Sequence, residues 1–200
     1  LIYLTLFPRI FHDYFQVSLA QKIWKKGLIA YRTYNIRDFA VKGKVDDYPY
    51  GGGRGMLLKI EPLVRALATI QEIHAPSYVI LLTPQGERFR QEDVARLLNL
   101  GPNLVFVCGR YEGFDERIVN YVDEQISLGD FITMGGEIPA LAITEALIRA
   151  VPGAIKKESY QQETFTNSQL DFANYAPPRI FEGLAVPEVL LSGHHQKIAA

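Results

Sequence analysis

The chain has 200 residues, 48% hydrophobic, 22% charged and 12% aromatic, which is ordinary for a globular domain with at most a small appendage. Twenty-one Lys/Arg against twenty-two Asp/Glu leave a net charge of -1, and the single cysteine, Cys108, excludes a disulfide framework or a Cys-rich zinc site. The longest apolar runs, residues 78–83 and 104–108, are strand-sized, so no transmembrane helix is expected.

Residues 1–7 form an apolar strand candidate closed by Pro8. Phe11, Phe15, Leu19 and Ile23 then repeat every four residues beside Trp24, the spacing of one continuous helix face. Lys25, Lys26 and Gly27 read as a basic last turn and a glycine stop. A second strand is expected over 28–34.

Residues 37–55 contain five glycines, Pro49 and the pair Asp46-Asp47, with little apolar periodicity. They predict a long loop, and long loops in compact domains are usually functional. Pro62 opens a helix to about residue 73, with Leu63, Leu67 and Ile70 on one side. A buried strand over 78–83 ends in Pro84-Gln85-Gly86, a helix follows over 91–100, and a second buried strand over 104–108 ends in Gly109-Arg110-Tyr111-Glu112-Gly113. A short helix over 115–121 precedes residues 124–128, Gly129-Asp130 and Gly135-Gly136, and a helix over 139–151 stops at Pro152-Gly153. From 156 to 172 the chain is polar and reads as a flexible linker.

Alternation of strand and helix, with two strands apolar throughout, predicts an α/β fold whose mostly parallel sheet carries helices on both faces. Ligands in such sheets sit at the carboxyl ends of strands. Three polar, glycine-containing segments fall at such ends: 83–86, 108–113 and 127–136.

Several motifs have two readings. Gly51-Gly52-Gly53-Arg54-Gly55 could cradle phosphate through backbone amides or be only a mobile loop, and it lacks the Lys-Ser/Thr of a Walker A motif. Asp46-Asp47 could hold a hard cation or be solvated. Arg110 and Glu112 could serve a ligand or pair with each other. Arg149, on an otherwise apolar helix, could act in a site or extend to water. His194-His195 has the wrong spacing for a metal pair on one helix face. Residues 1–65 hold eleven Lys/Arg against five Asp/Glu, so an acidic ligand would favour the first third of the chain. The lone cysteine and the lack of a basic leader predict a reducing, cytoplasmic setting, and the opening on Leu1 with the stop at Ala200 suggests an excerpt of a longer chain.

Taken in order, the motifs resemble one family. Val45-Asp46-Asp47-Tyr48-Pro49-Tyr50-Gly51-Gly52-Gly53-Arg54-Gly55-Met56, Pro84-Gln85-Gly86, Cys108 to Gly113, Ser127-Leu128-Gly129-Asp130, Gly135-Gly136-Glu137 with Pro139-Ala140, and Pro187 to Gly193 are similar to the bacterial tRNA (guanine-N1)-methyltransferases. Singly these motifs are weak, but as an ordered set they are specific. The resemblance implies a SPOUT-type fold with a C-terminal trefoil knot, an exception to the rule that chains do not thread loops. It divides the chain into a methyltransferase domain (1–155), a flexible linker (156–175) and the start of a truncated C-terminal tRNA-binding domain (176–200). It implies methyl transfer from S-adenosylmethionine to N1 of guanosine 37, next to the anticodon, by a homodimer with no membrane contact. It also associates a magnesium ion with the family, without ligands here.

The cofactor-binding positions implied are Thr83, Pro84, Gly86, Gly109, Ser127, Leu128, Gly129, Phe131, Ile132, Gly135, Gly136 and Pro139. Asp46, Tyr50, Gly55 and Glu112 are implied to hold the guanine, and Glu163 and Arg149 to be catalytic. The chain departs from the family where Glu163-Thr164-Phe165 replaces an Asp-Ser-Phe pattern and Ile132-Thr133-Met134 replaces Val-Leu-Ser. The alternative reading is a catalytically weak cofactor- or RNA-binding remnant of that family.

Overall fold

The computed structural model describes residues 1–155 and 173–193, and the chain divides into two compact units, Leu1–Gln162 and Glu163–Ala200. In the first unit five strands form one sheet: β1 (Ile2–Thr5), β2 (Arg32–Asn35), β5 (Ser77–Arg88), β6 (Asn103–Cys108) and β7 (Glu124–Ser127). Their order is β2-β1-β6-β5-β7 and every pairing is parallel, as expected from the unbroken apolar runs. β1 pairs Ile2 with Val105 and β5 pairs Leu81 with Val107, so the most apolar strands lie in the interior of the sheet.

Side-chain alternation along the strands divides the core in two. Tyr3, Phe106, Cys108, Ile80 and Leu82 point to one face. There they meet α1 (Arg9–Tyr14), α2 (Ser18–Lys25), α4 (Gln91–Leu98) and α5 (Glu137–Ala150). Ile2, Leu4, Val79, Leu81, Val105 and Val107 point to the other, under α3 (Ile60–His74) and the 3-10 turns at Ile36–Phe39 and Glu116–Tyr121. The Leu63, Leu67 and Ile70 stripe of α3 is buried as its spacing predicts.

The helix expected from Phe11 to Trp24 is two helices. The chain leaves helical geometry after Tyr14, and Ser18 takes a left-handed φ of 50°. The four-residue repeat survives because its aromatic members turn inward separately: Phe11 stacks on Tyr3 at 3.9 Å and Phe15 on Tyr31 at 4.1 Å between ring centroids. This face is therefore covered by its own sheet.

β5 also runs beyond the expected turn. Leu82 and Glu87 both register with Ile126, so residues 83–86 bulge out of the β5–β7 ladder before it resumes; such bulges re-aim side chains at strand ends. The 37–55 loop holds 3-10 turns and β3 (Asp46–Asp47), antiparallel to β4 (Leu57–Leu58). In the second unit β8 (Ile180–Phe181) and β9 (Leu184–Ala185) form a hairpin through Glu182 and Gly183, both at positive φ, and α6 (Glu188–Leu191) follows Pro187. The linker expected at 156–172 lies outside the described residues. Among the described residues no helix is long and apolar enough to cross a membrane.

Cys108 is fully enclosed at the end of β6, and burial pushes its thiol well above the ordinary range. As the only cysteine in the chain, it gives an unambiguous readout. A thiol reagent at pH 8 is expected to leave the folded protein unlabelled and to label one thiol completely in denaturant; rapid labelling without denaturant would contradict this packing.

Candidate functional site

The three strand-end segments converge. A cleft of about 420 Å³ opens at the carboxyl ends of β5, β6 and β7, where the sheet fold predicts a ligand. Of the positions predicted from the sequence, Thr83, Pro84, Gly109, Glu112, Ser127, Leu128, Gly129, Phe131, Ile132, Gly135, Gly136 and Pro139 all line it. Gly86 does not: it packs on β7, where a Cβ would lie 2.5 Å from the Gln125 carbonyl carbon and the Ile126 nitrogen. Its role is to let the bulge close on its neighbour, with Thr83 and Gln85 left facing the cleft.

The walls are held by short-range bonds. Thr83 Oγ1 donates to Gln85 Oε1 at 2.7 Å, Ser127 Oγ to the Gly129 carbonyl at 3.2 Å, and Thr133 Oγ1 to the Gly135 carbonyl at 2.9 Å. The chain then returns beneath the end of β6: Gly136 donates its N–H to the Gly109 carbonyl at 2.9 Å. A Cβ on Gly136 would sit 2.7 Å from Cys108 Cα, so only glycine permits this crossing. The return is consistent with the trefoil knot that the resemblance implies.

Two residues stand out beyond the sequence reading. Arg110 does not pair with Glu112. Its Nε donates to Glu137 Oε2 at 2.9 Å, and its guanidinium lies 4.4 Å over the Phe7 ring. Glu137, only 1% exposed, also accepts from Thr5 Oγ1 at 2.7 Å. An acid after Gly135-Gly136 in the first turn of a helix was a legible hint of its favourable position; nothing in the sequence marked Thr5 as its partner. Tyr111, which lines the cleft, holds a left-handed φ of 60°, an uncommon state for an aromatic residue and one that collects at functional sites.

The glycine-rich loop adjoins the cleft through Glu112. Glu112 donates its N–H to the Met56 carbonyl at 3.0 Å, and Leu58 exchanges bonds with Gly113 and Asp115 at 2.9 Å each. Gly55, at φ +77°, lies so close under Glu112 that a Cβ would meet its Cγ at 2.4 Å. Asp46 sits in β3 opposite Leu58, and Tyr50 is fully exposed; neither lines the cleft. Asp47 pairs with Lys44 at 2.8 Å, and that ammonium holds its carboxyl below the usual range.

Arg149 is not in the cleft. It stands exposed in the last turn of α5, twelve residues from Glu137 and so about 18 Å along the helix from the cleft end. Glu163, Asp171, which is the other carboxylate that could act as the base, and His194-His195 lie outside the described residues. Among the described residues no group of three or more His, Cys, Asp or Glu could hold a metal ion.

The whole chain, residues 1–200, matches the family model described as tRNA (Guanine-1)-methyltransferase TrmD. A tRNA (guanine-N(1)-)-methyltransferase of Syntrophotalea carbinolica is 48% identical over 200 residues, covering 98% of this chain and 80% of the relative. One from Staphylococcus carnosus is 45% identical over 202 residues, covering 99% of this chain and 82% of the relative. The crystal structure of a tRNA (m1G37) methyltransferase from Aquifex aeolicus superposes with a TM-score of 0.82 at 39% identity, over 99% of this chain and 85% of that one.

Removing Arg110 would leave the Glu137 carboxylate buried without its cation. Arg110→Ala is expected to cost about 3–5 kcal/mol, the usual scale for one broken buried pair, read as the loss of unfolding free energy in urea. A loss under about 1 kcal/mol would show that Glu137 does not depend on this partner.

Proposed function

The chain belongs to the tRNA (guanine-N1)-methyltransferase family, and from that premise we propose that it methylates guanosine 37, with the cleft as its S-adenosylmethionine site and a second copy of the chain completing the active site. Methylation of guanine N1 in tRNA is the reaction of the family; position 37 comes from the Aquifex aeolicus protein. The observation that carries the reading is the cleft itself, lined by twelve of the residues implied by the resemblance in a chain matched end to end. A tRNA substrate also fits a cytoplasmic setting.

The residues suit the methyl donor. About 420 Å³ is in the range of small-molecule sites. Leu128, Ile132 and Pro139 offer apolar contact, Thr83 and Ser127 hydroxyls, and the glycines close approach to main chain. S-adenosylmethionine supplies an electrophilic methyl group on a sulfonium sulfur. The described residues offer no group of three or more His, Cys, Asp or Glu to hold the magnesium ion that the resemblance associates with the family.

Guanine N1 carries a proton at neutral pH, so its attack on a methyl group requires a base while negative charge spreads to O6. Glu163 is the proton acceptor in this reading, one methylene longer than the aspartate it replaces. Arg149 is the cation for O6, a fixed guanidinium that stays charged through the reaction. Glu112 and the loop carrying Asp46, Tyr50 and Gly55 hold the guanine, with Tyr50 offering a ring to stack on a base turned out of the tRNA. Much of the remaining rate comes from holding N1 in line with the methyl group.

Arg149 cannot reach the cleft of its own chain across about 18 Å of helix, so its role requires a homodimer in which one copy's Arg149 serves the other's cleft. Four large apolar side chains at the cleft rim support such a cover: Phe131, Ile132, Met134 and Ile138 are 57%, 80%, 90% and 54% exposed. Light scattering at micromolar concentration is expected to give twice the 22.6 kDa of one chain; a monomer that methylates at full rate would defeat the shared-site reading.

Calorimetry should detect S-adenosylmethionine binding without tRNA. In single-turnover methyl transfer, Glu163→Gln is expected to lose on the order of a hundredfold or more, the scale of a general base. Glu163→Asp is expected to retain activity and Asp171→Asn to lose little, with cofactor affinity unchanged in all three. If Asp171→Asn is the dead variant, the base is misassigned.

A further inference from the structure

Between Asp13 and Asp38 the chain carries five cations and no carboxylate. The fold gathers four of them at one end of the sheet. α2 buries Ala20 and Ile23 and exposes Lys22, Lys25 and Lys26. Trp24 meets Tyr31 edge-on at 5.7 Å between centroids, which sets the last turn of α2 beside the exposed Arg32 at the start of β2. Leu28 packs against the turn at Gly153 just beyond α5, so the end of α5 that carries Arg149 lies at the same place.

Among the described residues none of Lys22, Lys25, Lys26 and Arg32 forms an ion pair. A merely solvated helix usually mixes signs, as α3 does on the opposite face of the sheet with Glu61, Arg65 and Glu72. A one-sign strip with no acid to neutralise it attracts a polyanion.

The strip lies at the amino ends of the strands and the cleft at their carboxyl ends, separated by about 20 Å at roughly 3.3 Å per strand residue. A small anion in the cleft cannot bridge that gap. A nucleic acid duplex presents on the order of ten phosphates over such a length.

We propose that Lys22, Lys25, Lys26 and Arg32 form a docking strip for the phosphodiester backbone of tRNA, separate from the cleft of the same chain and free of sequence readout. The inference rests on tRNA being the substrate. Phosphate contacts of this kind position a nucleic acid without reading its bases. The strip would hold the body of the tRNA while the target base enters the cleft of the second copy, the one that the neighbouring Arg149 serves.

The test combines Lys22→Ala, Lys25→Ala and Lys26→Ala in the full chain, with Arg65→Ala on α3 as a control. The measurements are tRNA affinity between 50 and 200 mM salt, S-adenosylmethionine affinity by calorimetry, and methyl transfer at saturating tRNA. The triple variant is expected to bind tRNA about tenfold or more weakly at low salt, with the log–log salt slope shallower by about two to three, close to one per lost contact. Cofactor affinity and the rate at saturating tRNA should be unchanged, and Arg65→Ala should behave as the wild type. A triple variant with wild-type affinity and slope overturns the strip alone. A wild-type protein that binds S-adenosylmethionine but neither binds nor methylates tRNA overturns the substrate reading, and the strip with it.

Discussion

Glu137 sits at the start of α5 with 1% of its surface exposed, and a carboxylate so placed is tolerated only if its oxygens are occupied. One oxygen takes the hydroxyl of Thr5 at the end of β1, and the other takes Nε of Arg110 beyond β6. Arg110 reaches further, to the Met134 carbonyl at 3.3 Å and over the Phe7 ring. Four segments spread over more than 130 residues are tied at one charge. The positive end of the α5 dipole adds to the attraction. Because its carboxylate is desolvated the pair is not the cheapest way to stabilise a core, but it holds one arrangement of the strand ends, and the cleft wall is built on that arrangement.

Around this anchor three glycines let the chain close up in and beside the cleft. Gly136 lies against Cys108 and Gly109, Gly86 against β7, and Gly55 under Glu112, each closer than a methyl group allows. At Gly136 and Gly86 backbone packs on backbone, which leaves few rotamers to order there. The bulge at residues 83–86 breaks the β5–β7 ladder where Thr83 and Gln85 line the cleft.

A parallel sheet also gives the molecule two unlike ends. Each crossover helix runs against the strands, so helix starts gather with the cleft and helix ends gather opposite. α5 joins both, with Glu137 at the cleft and Arg149 about 18 Å away. The same geometry carries the Lys-rich end of α2 away from the cleft. The chain is nearly neutral as a whole, at -1, yet the direction of its helices sets this group of lysines apart from the cleft of the same chain.

The sequence by itself determined the class of fold, the two-faced burial of residues 78–83 and 104–108, the stripe of α3, and which strand ends line the cleft. Those features follow from the period and continuity of apolar residues, which record burial directly. The same record is blind to a break that preserves the period, so the turn between α1 and α2 was not legible: Phe11 and Phe15 are both fully buried, but by separate stacking partners. Nor could spacing show that Arg110 pairs with Glu137, 27 residues on, rather than with Glu112, two residues on. It could not show that Gly86 serves the sheet while Gly135 and Gly136 line the cleft, or that Arg149 stands at the far end of its helix from that cleft. Partner choice and direction depend on where distant strands place their ends, and only the tertiary structure decides that.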